Sequence, residues 1–229
     1  MKDYIIRQVL TKEQLTEITK LTNDPTNIWV DGLISTVLMD NQTKSNTQLS
    51  KDCNNYQIIK NNVMQALDQD KDFYDFIVPH TSTAPIISRY TKDSYYNIHE
   101  DDPNNGTYST TIFLSDPETY IGGELCLYLN GKEEEFKLPA GYAITYHTGI
   151  LHKVNKIDEG ERHAIVLWTT TLIQDQFLRE LICDLEKIRR LLIKKGFDKY
   201  QGSNFELYEN DPLNSLHYSI NKIKRHIKK

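Results

Sequence analysis

The chain has 229 residues, with 27 Lys plus Arg against 32 Asp plus Glu and a formal net charge of −5. That is enough for one core with at most a small appendage, and the acidic balance argues against a general nucleic-acid binder. Hydrophobic residues at 38%, charged residues at 26%, and 14 Tyr with 7 Phe exclude a disordered chain, while no apolar run approaches the roughly 20 residues that cross a bilayer.

Met1 to Leu10 carries Asp3 and Arg7 where a signal peptide needs an apolar stretch, and reads instead as an N-terminal strand. Cys53, Cys126 and Cys183 are odd in number and form no CxxC pair, so a reducing, cytoplasmic setting is expected. Thr11 and Gln14 make a capping box ahead of Leu15, Ile18 and Leu21, predicting a helix over Lys12 to Asn23. Asp24 to Asp52 is rich in Asn, Thr, Ser, Gln and Asp without clear period; it reads as loops with one or two short strands, and long polar segments of this kind often cover a site. Ile59, Val63 and Leu67 recur every four residues, predicting a second helix between Asn54 and Gln69.

The pattern then changes to strands. Leu125, Leu127 and Leu129 alternate up to an Asn130-Gly131 turn, after which Lys132 to Leu138 runs back, predicting a hairpin whose Glu133-Glu134-Glu135 edge discourages pairing with other chains. Further strands are predicted at Tyr142 to His147, Leu151 to Lys156 and His163 to Thr170, an antiparallel sandwich or small barrel. The last sixty residues return to helical period. Phe177, Leu181, Leu185, Ile188 and Leu192 share a face before Gly196, and Asp211-Pro212 opens a basic helix with Leu213, Leu216, Ile220, Ile223 and Ile227 in line. The division expected is a catalytic unit over 1–172 and a helical extension over 173–229 packed on the core.

His99 and Asp101 stand two apart and share a face if their segment is one extended strand. His152 lies on a later strand that a barrel could bring opposite them. Two imidazoles and a carboxylate hold Fe(II) on one side and leave positions open for a cosubstrate and O₂. Arg162 follows His152 by ten residues and starts a strand that runs inward to Trp168; a fixed cation there invites a dicarboxylate. Any one of these arises easily by chance, but their ordered combination is selective.

That combination resembles the 2-oxoglutarate and Fe(II)-dependent dioxygenases, and among them the PKHD-type hydroxylases related to prolyl 4-hydroxylases. The resemblance runs through Arg89-Tyr90, Tyr96 before His99, Thr111 to Asp116, Gly122-Gly123-Glu124-Leu125, Leu151 to Val154, Gly160-Glu161-Arg162 and Trp168 into the helix around Leu181 to Leu185. It implies an α+β protein, mainly β, with a double-stranded β-helix (jelly-roll, cupin-like) core flanked by N-terminal and C-terminal helices. It implies iron on His99, Asp101 and His152, the distal carboxylate of 2-oxoglutarate on Arg162, and Tyr90, Tyr96 and Trp168 among the cosubstrate contacts. O₂ is then consumed, 2-oxoglutarate leaves as succinate and CO₂, ascorbate serves as reductant, and a C–H bond of a peptidyl prolyl or similar side chain is hydroxylated. A free amino acid or small metabolite as substrate, and a catalytically silent metal-binding jelly roll, are the alternatives.

Three departures qualify the resemblance. Phe113 stands where oxygen-sensing relatives carry a tyrosine. Asp101 keeps the ligand that the halogenating branch lacks. No arginine lies six beyond Arg162, where Trp168 stands instead, so the nucleic-acid demethylating pattern is absent. His147 is expected to face solvent and His163 to alternate outward from Arg162. Glu100 and Asp102 are read as solvated charges or substrate-loop contacts rather than ligands, His80, His217 and His226 as unrelated to the site, and the Lys-rich tail as a solvated helix face. No membrane partner is expected, and the stripe of the last helix is compatible with a monomer or a homodimer.

Overall fold

The computed structural model describes residues 3–35, 43–197 and 201–227. In chain order these form β1 (Tyr4–Gln8), α1 (Lys12–Thr22), β2 (Trp29–Asp31), a 3-10 turn (Gly32–Ser35), β3 (Lys44–Ser45), β4 (Thr47–Leu49), α2 (Asn54–Gln69), α3 (Lys71–Ile77), β5 (Pro79–Ser82), β6 (Ile86–Tyr90), β7 (Tyr95–His99), β8 (Tyr108–Phe113), β9 (Tyr120–Gly122), β10 (Leu125–Leu129), β11 (Lys132–Phe136), β12 (Tyr142–His147), β13 (His152–Val154), β14 (Ile157–Gly160), β15 (Arg162–Thr171), α4 (Gln176–Lys194), α5 (Phe205–Asn210) and α6 (Pro212–Ile227). The chain parts into two units. One comprises Met1–Lys71 and Thr81–Thr170, the other Asp72–His80 and Thr171–Lys229. The chain passes between them three times, after Lys71, His80 and Thr170, and the expected two-part division has no counterpart to the excursion of Asp72–His80.

In the first unit, one antiparallel sheet runs in the order β1-β12-β8-β15-β6-β4-β2 and a second in the order β11-β10-β13-β7-β3, with β14 and β9 paired beside them. Tyr90, Phe113, Ile144 and Tyr146 from the first sheet pack with Leu125, Leu127, Phe136 and Val154 from the second, which is the sandwich core of a jelly roll. β8 is buried along its whole length because β12 and β15 flank it and both its faces are covered. Its hydroxyls are therefore satisfied internally, Thr110 against Thr145 at 2.7 Å and Ser109 on Asp101 at 2.6 Å. On the outer side α2 buries Tyr56, Ile59, Val63 and Leu67, Tyr56 donates to the Pro85 carbonyl at 2.9 Å, and Arg7 of β1 pairs with Asp70 at the end of α2.

The expected local signals are present: the Thr11/Gln14 capping box closes α1, and Leu125 to Leu129 pairs with Lys132 to Phe136 about Asn130-Gly131. Asn130 at φ 49° and Gly131 at φ 79° make the turn type I′, in which an L side chain is strained. Gly131→Ala meets no neighbour and so isolates that strain; a loss of about 1–2 kcal/mol in denaturant unfolding is expected. The Asp24 to Asp52 segment is more ordered than its composition implied. It contributes β2 and β4 to the edge of the first sheet and β3 to the edge of the second, because short polar edge strands carry no alternation to read; its residues 36–42 lie outside the described residues.

In the second unit, Val78, Ile173, Ile182, Cys183 and Ile220 form the core, with Leu216 and Ile223 packed on it as the stripe of α6 predicts. Asp211 caps α6 through the Asn214 N–H at 2.8 Å. The face of α4 is a correction. Arg179, Ile182, Cys183 and Glu186 are the buried residues, whereas Phe177 is 71% and Ile188 48% exposed. The inward face is held by polar partners that an apolar count overlooks: Arg179 donates to the Ile173 carbonyl at 2.9 Å, and Glu186 takes Arg189 at 2.8 Å and Lys224 at 3.1 Å.

Candidate metal centre and cosubstrate pocket

Two neighbouring strands of the second sheet carry the histidines of the site. β13 lies between β10 and β7, and His152 pairs in register with His99, so two residues 53 positions apart in sequence become cross-strand neighbours with ring centroids 4.2 Å apart. β7 ends at His99, so Asp101 is not on the strand and the condition under which the two would share one strand face is not met. It sits in the connection to β8, where the Ser109 hydroxyl donates to its Oδ2 at 2.6 Å and turns the carboxylate back toward the histidines. Asp101 Oδ1 is 3.8 Å from His99 Nε2, and its Oδ2 is 3.6 Å from His152 Nε2; the three residues offer ligand atoms within 4.8 Å of one another.

The tautomers follow from the backbone. His99 Nδ1 lies 2.8 Å from the Asn97 carbonyl and His152 Nδ1 lies 2.8 Å from the Ile150 carbonyl, the same i to i−2 arrangement twice. A carbonyl only accepts, so each Nδ1 carries the proton and each Nε2 presents a lone pair to the space beside Asp101. His99 Nε2 is buried without a hydrogen-bond partner among the described residues, which suits a nitrogen kept for a metal. Burial, and then the neighbouring His152, pull the His99 pKa down to about 4, against the opposing pull of the Asn97 carbonyl and Asp101.

A proton that His99 binds in the unfolded chain is thus refused in the folded one. The metal-free protein is expected to be stable above pH 6.5 and to lose stability as pH falls from there toward 4, by at most about 1.4 kcal/mol per unit for this group. Denaturant unfolding across that range measures the slope, and His99→Gln should flatten it.

Arg162 heads β15 opposite Tyr90 and is 2% exposed, its guanidinium 5.2 Å from the ring centres of both Tyr90 and Phe113. Its Nε has no partner among the described residues. Phe113 thus contributes a dry wall where a tyrosine would contribute a hydroxyl. Gly123, at φ 68°, leaves the space this arginine needs, since a Cβ there would stand 3.2 Å from the Arg162 Cδ and 2.2 Å from Ile157 Cδ1. Burial drives the Tyr90 hydroxyl up to about 12, so it remains a donor at all ordinary pH.

The same cavity, about 150 Å³, is lined by Tyr90, Tyr96, His99, Asp101, His152, Arg162 and Trp168, all seven of the residues singled out from the sequence. Tyr96 stacks on His99 with centroids 3.6 Å apart, and Tyr146 meets His152 edge-on at 5.3 Å. The Trp168 indole N–H is buried and unpartnered among the described residues, a donor left for a guest. Glu100 and Asp102 line the cavity as well. His147 is exposed as expected. His163 is not. It is 7% exposed, because Trp29 of β2 stacks on it at 5.7 Å and Glu161 closes on its Nε2 at 2.5 Å; the extra edge strands cover a face that alternation alone leaves open.

Sequence reasoning missed Ser109, which announces itself only as an inward residue of β8, and Lys44. Lys44 is 6% exposed, lies 4.5 Å over the Tyr96 ring, and has its pKa brought down to about 8 by burial, against the pull of Asp101 and Asp31. It sits in the segment read as loop, where no period marks a side chain as inward.

A jelly roll with a His-Asp-His cluster beside a buried arginine defines an oxygenase, and residues 85–170 match the 2OG-Fe(II) oxygenase superfamily. The chain is 33% identical over 192 residues to the PKHD-type hydroxylase YbiX of Escherichia coli, covering 80% of this chain and 85% of that one, and 33% identical over 198 residues to the PKHD-type hydroxylase tll1907 of Thermosynechococcus vestitus, covering 83% and 88%. It belongs to the PKHD-type hydroxylase family, and Fe(II) and 2-oxoglutarate come with that family. Its fold is shared with a Pseudomonas putida prolyl-4-hydroxylase, at TM-score 0.53 and 14% identity over 73% of this chain and 91% of that one. A Trichoplax adhaerens prolyl hydroxylase in complex with a hypoxia inducible factor peptide fragment matches at TM-score 0.58 and 16% identity, over 74% and 84%. No helix among the described residues is long and apolar enough to cross a membrane.

Proposed function

We propose that His99, Asp101 and His152 hold the iron of this oxygenase, that Arg162 receives the distal carboxylate of 2-oxoglutarate, and that the substrate is a peptidyl side chain, prolyl or similar, hydroxylated at a C–H bond. The observation that carries the reading is the pair of histidines whose Nδ1 protons are held by carbonyls while both Nε2 atoms converge with Asp101. Iron and 2-oxoglutarate together supply the activation of O₂, coupling loss of CO₂ and formation of succinate to hydroxylation of the substrate. The protein's residues supply the rest. Ser109 orients Asp101, Tyr96 and Tyr146 fix the imidazole planes, and Tyr90 and Phe113 keep water from the Arg162 guanidinium so that its pairing with a carboxylate is strong. Trp168 and Tyr90 offer donors to the guest. Ascorbate is the reductant we assign, and we place the protein in the cytoplasm from its unpaired cysteines.

Peptides are favoured because structural neighbours are named as prolyl hydroxylases, one of them with a peptide. The test is a panel of proline-containing peptides with Fe(II), 2-oxoglutarate and O₂, read by mass for one added oxygen. Hydroxylation confined to free amino acids or metabolites would overturn the peptide assignment and leave the metal site standing.

A further inference from the structure

Two cations line the cavity among its described residues, Arg162 from β15 of the first sheet and Lys44 from β3 at the edge of the second. Arg162 has a task in the reading above. Lys44 has none. An ammonium carries three donors, and a buried one is normally paired with a carboxylate. Among the described residues Lys44 forms no ion pair; its hydrogen bond goes to the Ser35 hydroxyl at 3.0 Å, and that oxygen is already shared with the Gln48 amide at 2.6 Å. Asp101 and then Asp31 help to support its charge, but Asp31 makes no ion pair with it among the described residues and Asp101 belongs to the proposed metal site. Lys44 is held in place rather than swinging freely: β3 pairs with β7 at Lys44 and Tyr96, and the Tyr96 ring that lies under the ammonium also stacks on His99. The cation is therefore built into the wall beside the reacting centre.

We propose that Lys44 is a specificity-determining residue that binds a carboxylate on the molecule being hydroxylated. The proposal rests on the assignment of Arg162 and the metal to the two carboxylates of 2-oxoglutarate, which leaves the third anion to come from the substrate. That carboxylate is either the α-carboxylate of a free amino acid or an acidic side chain beside the target residue of a peptide.

The experiment compares matched pairs of ligands by calorimetry on anaerobic protein loaded with Fe(II) and 2-oxoglutarate. One pair is L-proline and L-prolinamide; the other is a blocked Ala-Pro-Asp-Ala peptide and its Asn counterpart. Wild type is expected to favour the acid over the amide in one pair by roughly tenfold, the scale of one charge-assisted hydrogen bond, and the pair that responds tells the source. Lys44→Met should erase the preference and Lys44→Arg retain most of it, with 2-oxoglutarate affinity measured in both as the control for folding and for cosubstrate binding. No preference for the acid in either pair, a preference that survives in Lys44→Met, or a selective loss of 2-oxoglutarate affinity in that variant each overturns the proposal. Failure of iron-loaded wild type to bind 2-oxoglutarate at all overturns the oxygenase site assignment instead, and is seen before any pair is tested.

Discussion

Replacing Asp101 with alanine is expected to leave a folded protein that neither retains iron nor forms succinate. Asp101 is the one anion among the three proposed ligands, and its loss would leave two neutral imidazoles to face a divalent cation. Removing a group that merely supports a ligand costs about 10- to 100-fold in metal affinity or activity, so removing the ligand itself should cost more than about 100-fold. The fold should survive, because Asp101 lies in the connection between β7 and β8 and, among the described residues, its side chain is tied to the first sheet by the Ser109 hydroxyl. Iron content after dialysis, succinate release and the thermal midpoint decide the matter together. A folded Asp101→Ala protein with undiminished iron would place the metal elsewhere.

Replacing Arg162 with methionine should spare the iron and remove the cosubstrate. The methionine fills the path of the arginine stem past Gly123, so the variant tests the charge more than the packing. Losing one partner of a buried ion pair costs about 3–5 kcal/mol, or roughly 100- to 1,000-fold and more in affinity for 2-oxoglutarate. Arg162→Lys should recover only part of this, since an ammonium does not present the planar fork. Anaerobic titration of the iron-loaded protein with 2-oxoglutarate gives the number directly. Equal affinity in wild type and Arg162→Met would sink the assignment.

What could be read from the sequence and what could not divides along physical lines. The helix over Asn54 to Gln69 and the Asn130-Gly131 hairpin were legible because period and turn chemistry are local. The seven residues expected at the site stood out because each falls in a motif of the family resemblance, and the structure adds that they line one cavity. The failures arise where an element's partner is distant. His163 alternates outward on β15, yet it is covered by Trp29, three strands further along the sheet. The inward face of α4 mixes Ile182 and Cys183 with the buried Arg179 and Glu186, so counting apolar residues shifted the face toward Phe177 and Ile188, which lie exposed. Asp101 reaches the histidines from a loop rather than a strand, a geometry that the two-residue spacing does not reveal.

The two imidazoles of the proposed iron site differ from its carboxylate in what aims them. Each histidine is aimed by a peptide carbonyl two residues earlier in its own strand or turn, a group every amino acid supplies. No substitution at Asn97 or Ile150, short of one that moves the backbone, deletes that acceptor. Asp101 is aimed by the hydroxyl of Ser109, and a single base change could remove it. Mutational tolerance is therefore uneven within one cluster of three residues: in a saturation library the positions behind the histidines should accept many side chains, while position 109 should be nearly confined to hydroxyls.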